Sequence, residues 1–155
     1  MANTFEAEIQ ASCKLLGVYY HKLAVSRGDK WKRDSPFDGF VLRQGIYTAL
    51  EMKSQKPHGS FSLNRVTEHQ ERELLRVIDE GCRAFLLVNM RQPEIRAWAI
   101  PMLRWGSLKA ELLLKNRKSI PKELFDDRSV AIPIPRVKSE IEKSYYWDMS
   151  VIIEG

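Results

Sequence analysis

The chain has 155 residues, 44% of them hydrophobic, enough for one domain with a real core. A net charge of +5 and a pI near 9.3 favour an anionic partner; two cysteines and three scattered histidines offer neither a disulfide framework nor zinc-type spacing. No signal-peptide pattern and no apolar run of membrane-spanning length occur, so a cytoplasmic protein with no membrane partner is expected, with Cys13 and Cys82 reduced on buried faces.

Asn3 or Thr4 can cap a first helix, whose apolar stripe is Phe5, Ile9, Cys13, Leu16 and Tyr20. From His21 to Ser35 the chain is polar and basic, with Lys22, Arg27, Lys30, Lys32 and Arg33 against Asp29, and reads as a loop. A hairpin follows, about Phe37–Leu42 and Ile46–Lys53, turning at Gln44-Gly45. Its second strand alternates Ile46, Thr48, Leu50 and Met52 on one face with Tyr47, Ala49, Glu51 and Lys53 on the other. The run Lys56-Pro57-His58-Gly59 ends it.

Phe61 and Leu63 suit a short strand or an ordered loop. Thr67 and Gln70 have capping-box spacing for a helix that runs to about Glu80, with Gly81 as its stop. Ala84–Val88 is a continuous apolar run, as in a strand buried on both faces. Strand, crossover helix and strand imply a parallel pair. Arg96–Ile100 is the next strand and Leu103–Leu114 the next helix; Pro121, Pro133 and Pro135 forbid a long element in the tail. The fold class is α/β, a mixed central sheet flanked by helices.

The candidate chemistry lies in the hairpin. If Gln44-Gly45 is a two-residue turn, Arg43 faces Ile46 and Asp38 faces Glu51, with Cβ atoms roughly 4.5–5.5 Å apart. Facing carboxylates repel unless a positive group lies between them, and oxygen ligands suit Mg²⁺, with Mn²⁺ as a substitute. The backbone carbonyl of Met52 can add a third oxygen, and Lys53 shares the strand face of Glu51. Phosphodiester hydrolysis needs such a metal to polarise the phosphate, and a lysine to orient or deprotonate water or to offset developing charge. The same Glu-x-Lys also occurs on solvated strand faces. Glu6 can reach the metal from the first helix or serve only its N-terminus; Gln70 can hold a water or ligand or only close its capping box. Lys22–Arg33 and the later basic residues, including Lys115, Arg117 and Lys118, are candidates for phosphate contacts. Trp31 can stack on bases, whereas Tyr145-Tyr146-Trp147 better suits packing of the C-terminal segment.

Several segments in order are similar to the RecU-type Holliday-junction resolvases: Thr4–Ile9, Phe37-Asp38-Gly39, Glu51-Met52-Lys53-Ser54, Ser60–Leu63, Glu68-His69-Gln70 and Lys118–Pro121. The likeness spans residues 3 to 121; archaeal Holliday-junction resolvases are a weaker match. It implies a restriction-endonuclease-like single nuclease domain over 1–155, a Mg²⁺-dependent homodimer and paired nicking of branched DNA, the four-way junction. By position it makes Asp38 and Glu51 metal ligands, Lys53 the catalytic lysine and Glu6 a further acidic member. The family carries a longer insertion before the aspartate, a stalk that enters the junction; here His21–Ser35 is short, as in a compact or phage-type member. Another endonuclease on the same fold, of repair or restriction type, and a non-catalytic junction-binding protein are the alternatives.

Overall fold

The computed structural model describes residues 4–23, 35–55, 59–141 and 143–154. Helix α1 (Thr4–Leu15) leads into strand β1 (Tyr19–Lys22), followed by β2 (Gly39–Arg43), β3 (Ile46–Gln55) and the short β4 (Phe61–Ser62). Helix α2 (Glu68–Asp79), β5 (Arg83–Met90), β6 (Arg96–Pro101) and α3 (Met102–Leu114) complete the body. The tail adds β7 (Ser119–Ile120), β8 (Ile132–Ile134), β9 (Arg136–Lys138), β10 (Tyr145–Trp147) and α4 (Ser150–Ile153).

The central sheet has the order β1-β2-β3-β5-β6-β8. β3 and β5 are parallel, joined through the crossover that contains α2, and the other pairs are antiparallel. The expected mixed sheet between helices is therefore present. One face carries Ala49, Leu86, Val88, Trp98 and Ile100 beneath Leu74 of α2 and Trp105 and Leu108 of α3. The other carries Val41, Leu50, Met52 and Leu87 against Phe5, Ile9 and Cys13 of α1 and Ile152 and Ile153 of α4. Covered from both sides, β5 is buried from Ala84 to Met90, and its lack of alternation follows from that.

The beginning of the chain departs from the sequence reading. The helical stripe does not extend to Tyr20, and His21–Ser35 is not loop from its first residue. Gly17 takes φ +70°, a left-handed conformation that ends α1, and Tyr19–Lys22 then pairs with β2. The sheet edge supplied by β2 outweighs the helical spacing of Tyr20. The hairpin also shifts: Phe37 and Asp38 precede β2, and β3 runs two residues past Lys53. The turn itself is as expected, with φ +51° at Gln44 and +77° at Gly45, the two-residue form that matches strand twist.

Cys13 is buried and Cys82 half-buried, both as free thiols. Trp147 packs edge-on against Phe5 with ring centroids 5.9 Å apart, tying β10 to α1. The prolines keep the tail in short elements, yet Ile132–Ile134 still adds the outermost strand, where Pro133 is tolerated at an edge. Among the described residues no helix is long and apolar enough to cross a membrane.

Both halves of the α2 capping box form: Gln70 N donates to Thr67 Oγ1 and Thr67 N to Gln70 Oε1, each at 3.1 Å. Thr67→Ala is expected to lower stability by about 1 kcal/mol, a fall of roughly 2–4 °C in Tm by thermal denaturation.

Candidate active site

The site forms where β2 separates from β3. The ladder runs from Arg43↔Ile46 to Gly39↔Leu50, and one further step in the same register sets Asp38 opposite Glu51. Beyond Leu50, β3 continues along β5 alone, so its other edge is open to side chains. Asp38 fills that edge: its Oδ2 accepts from the backbone N–H of Met52 at 2.8 Å. The N–H and C=O of a strand residue point to the same edge, so the Met52 carbonyl faces this side too. The Asp38 backbone is held by the residue after β1, its carbonyl accepting from Leu23 N at 2.9 Å.

Glu51 is almost fully buried, 2% exposed, with its carboxyl close enough to that of Asp38 for the two charges to act on each other. Lys53 Nζ lies 3.3 Å from Glu51 Oε2 and is more open, with 18% of its side chain exposed. Burial pushes the Glu51 carboxyl up to about 8; Asp38 adds to the rise, and Lys53 opposes it. Without a cation, the pair is relieved by a proton held on Glu51.

Among the described residues, no three His, Cys, Asp or Glu side chains form a ready-made metal cluster. The donors present are two carboxylates and a carbonyl edge, all hard oxygens of the kind Mg²⁺ and Mn²⁺ take. Glu51 Oε1 is buried and accepts no hydrogen bond. A buried carboxylate oxygen without a partner, beside a second carboxylate, fits a divalent cation that completes its coordination with water.

Glu6 stands in the first turn of α1 with its side chain 12% exposed, and Lys22 Nζ approaches its Oε1 to 3.3 Å. Lys22 is thus paired with an acid rather than free. Tyr20, on the same strand face as Lys22, leans over Gly39 beside Asp38. Burial first, then the charges of Glu6, Asp38 and Glu51, raise its hydroxyl well above the usual phenol range. Sequence reasoning assigned Tyr20 to a helix and gave it no part here; the alternation of Tyr20 and Lys22 as a strand pair is the signal that was available.

Of the other candidates, Gln70 Oε1 is engaged by Thr67 N–H, as its capping spacing allowed. Lys115, Arg117 and Lys118 are exposed between α3 and β7. β7 pairs with β4, which follows from the Lys53 end of β3. Ser60 Oγ donates to Ser119 Oγ at 2.9 Å, and Leu63 N to the Lys118 carbonyl at 3.0 Å. Two segments distant in sequence, Ser60–Leu63 and Lys118–Pro121, are thereby joined. Arg27, Lys30, Lys32 and Arg33, with Trp31, lie outside the described residues.

The model of the family described as Recombination protein U, RecU, matches residues 18–142, a stretch holding Asp38, Glu51 and Lys53 but not Glu6. The chain belongs to the RecU family. A relative within reach is the Holliday junction resolvase RecU of Oceanobacillus iheyensis, 27% identical over 142 residues, covering 86% of this chain and 71% of the relative. Among solved structures, the Holliday junction resolvase Hjc of Archaeoglobus fulgidus overlaps 64% of this chain and 75% of its own, with a TM-score of 0.44 and 17% identity.

The Glu51 shift has a consequence for stability. In the unfolded chain the carboxyl ionises near 4.5; in the folded, metal-free protein it holds its proton to about 8. Between those values the folded state binds more protons, so stability falls as pH rises through the window and stays reduced above it. Glu51→Gln removes the penalty. In EDTA its Tm should exceed that of the wild type by a few degrees at pH 8.5, with a flatter pH profile and near-equality at pH 4.5; equal Tm values throughout would contradict the assignment.

Proposed function

We propose that this RecU-family chain is a Mg²⁺-dependent endonuclease that resolves four-way DNA junctions by paired nicks, acting as a homodimer of one restriction-endonuclease-like domain. The observation that carries this reading is the Asp38–Glu51 pair, brought together at the open edge of β3 with Lys53 3.3 Å from Glu51. The family membership and the junction-resolving relative support the choice of DNA substrate.

In this reading Asp38, Glu51 and the Met52 carbonyl hold Mg²⁺, with Mn²⁺ able to replace it, and Glu6 borders the site. The ion supplies Lewis-acid polarisation of the scissile phosphate and neutralises its charge. The Met52 N–H bond to Asp38 fixes one carboxylate before substrate arrives, and burial fixes the other, so little reorganisation is needed on binding. Lys53, partly exposed, orients or deprotonates the attacking water, or places its charge against the oxygens of the pentacovalent phosphorus. Lys115, Arg117 and Lys118 contact the phosphate backbone, which positions DNA without reading its sequence. A four-way junction is roughly two-fold symmetric, so two coordinated incisions call for two such sites in a symmetric pair of chains.

Incubation with a synthetic four-way junction and Mg²⁺ tests the reading. The wild type should give paired nicks, and Asp38→Asn and Lys53→Ala should each cut at least about a hundredfold more slowly while still binding the junction in Ca²⁺. Cutting of linear duplex as readily as junctions would point to a repair- or restriction-type enzyme. Junction binding without any metal-dependent cutting would point to a non-catalytic module.

A further inference from the structure

Three buried side-chain oxygens near this edge of the sheet make no hydrogen bond: Tyr20 OH, Glu51 Oε1, and Glu6 Oε1, which has only the ion pair with Lys22 at 3.3 Å. Once a cation takes the place of the Glu51 proton, the two carboxylates can only accept, and the phenol is the one donor of the three. Strand pairing sets its position. β1 pairs with β2 in the register Tyr20↔Val41 and Lys22↔Gly39, and the Tyr20 ring leans across Gly39. A Cβ at residue 39 would lie 2.6 Å from the Tyr20 hydroxyl and 2.7 Å from the His21 carbonyl, so the glycine is what admits the phenol to this place. The hydroxyl therefore rests on the residue that follows Asp38.

Glu6 is approached from two sides. Lys22, two residues beyond Tyr20 and on the same face, meets its Oε1 from the solvent side, with 52% of the lysine side chain exposed. The buried Tyr20 hydroxyl is its other neighbour, within electrostatic reach of Glu6, Asp38 and Glu51. Tyr20 and Glu6 make no direct hydrogen bond, and a water bonded to both would satisfy each.

We propose that Tyr20 is a positioning residue of the site: its hydroxyl donates to a water shared with Glu6 and holds that carboxylate toward the Asp38–Glu51 pair. For its effect on DNA cutting this rests on the nuclease reading above; its effect on cation binding does not. Nothing in the sequence of motifs singles out Tyr20, since its role depends on β1 forming and on the space above Gly39.

The test is Tyr20→Phe in the full chain, which removes one oxygen and leaves the ring on Gly39. Thermal unfolding should be unchanged within a degree or two. Calorimetric titration with Mn²⁺ alone should show affinity reduced about tenfold, and single-turnover junction cleavage at saturating Mn²⁺ should slow about tenfold with junction affinity unaltered. Combined with Glu6→Gln, the loss of Mn²⁺ affinity should be little larger than for either change alone, because the two act as a unit. Wild-type Mn²⁺ affinity in Tyr20→Phe, simple additivity with Glu6→Gln, or no Mn²⁺ binding by the wild type would each overturn the proposal. If the wild type binds Mn²⁺ but cuts no junction, the nuclease reading fails while the Mn²⁺ comparison still decides the role of Tyr20.

Discussion

Two carboxyl groups, the buried one of Glu51 and the half-buried one of Asp38, are brought together at the open edge of β3, and much of the local structure follows from that conflict. Facing acids destabilise a fold unless a proton or a cation separates them. Here burial of Glu51 makes the proton-bound form the resting state of the cation-free protein, and Lys53 offers only partial relief. The arrangement stores an affinity for positive charge that no exposed acid pair would have, because solvent would screen it.

The fold holds the pair in place from several directions. β3 is central, fixed along its length by β5, and β5 is buried on both faces. β2 follows β3 only as far as Leu50 and then releases it, leaving backbone groups that Asp38 satisfies through Met52 N–H. Leu23, just past β1, in turn holds the Asp38 backbone, and β1 needs Gly39 to lie close. The acid is therefore supported by three strands, although it belongs to none of them. Such support by backbone is stiffer than support by side chains alone and keeps the geometry steady as charge changes.

Charge is also distributed with some economy. Several basic residues are already paired: Lys22 with Glu6, Lys109 with Glu71, Arg91 with Glu8 and Arg104 with Glu111. The net excess is thus carried by fewer side chains than the composition suggests. Lys115, Arg117 and Lys118 are exposed among those described, on the turn that β7 draws toward β4 and so toward the Lys53 end of the sheet.

Much of this was legible in the sequence. The Gln44-Gly45 turn and the period-2 alternation of β3 determined that Asp38 would face Glu51, because a two-residue turn leaves no freedom in register. The capping box of α2, the buried strand β5 and the parallel crossover were legible for the same reason: each is governed by local chemistry or by a period shorter than the element. The prolonged helical stripe through Tyr20 misled, since spacing alone does not weigh a helix against an available sheet edge. Only the tertiary structure decided that Tyr19–Lys22 is a strand, that Met52 N–H binds Asp38, and that Lys118–Pro121 lies against Ser60–Leu63. These are contacts between segments far apart in the chain, and they depend on how closely backbones approach, a quantity that residue spacing does not contain.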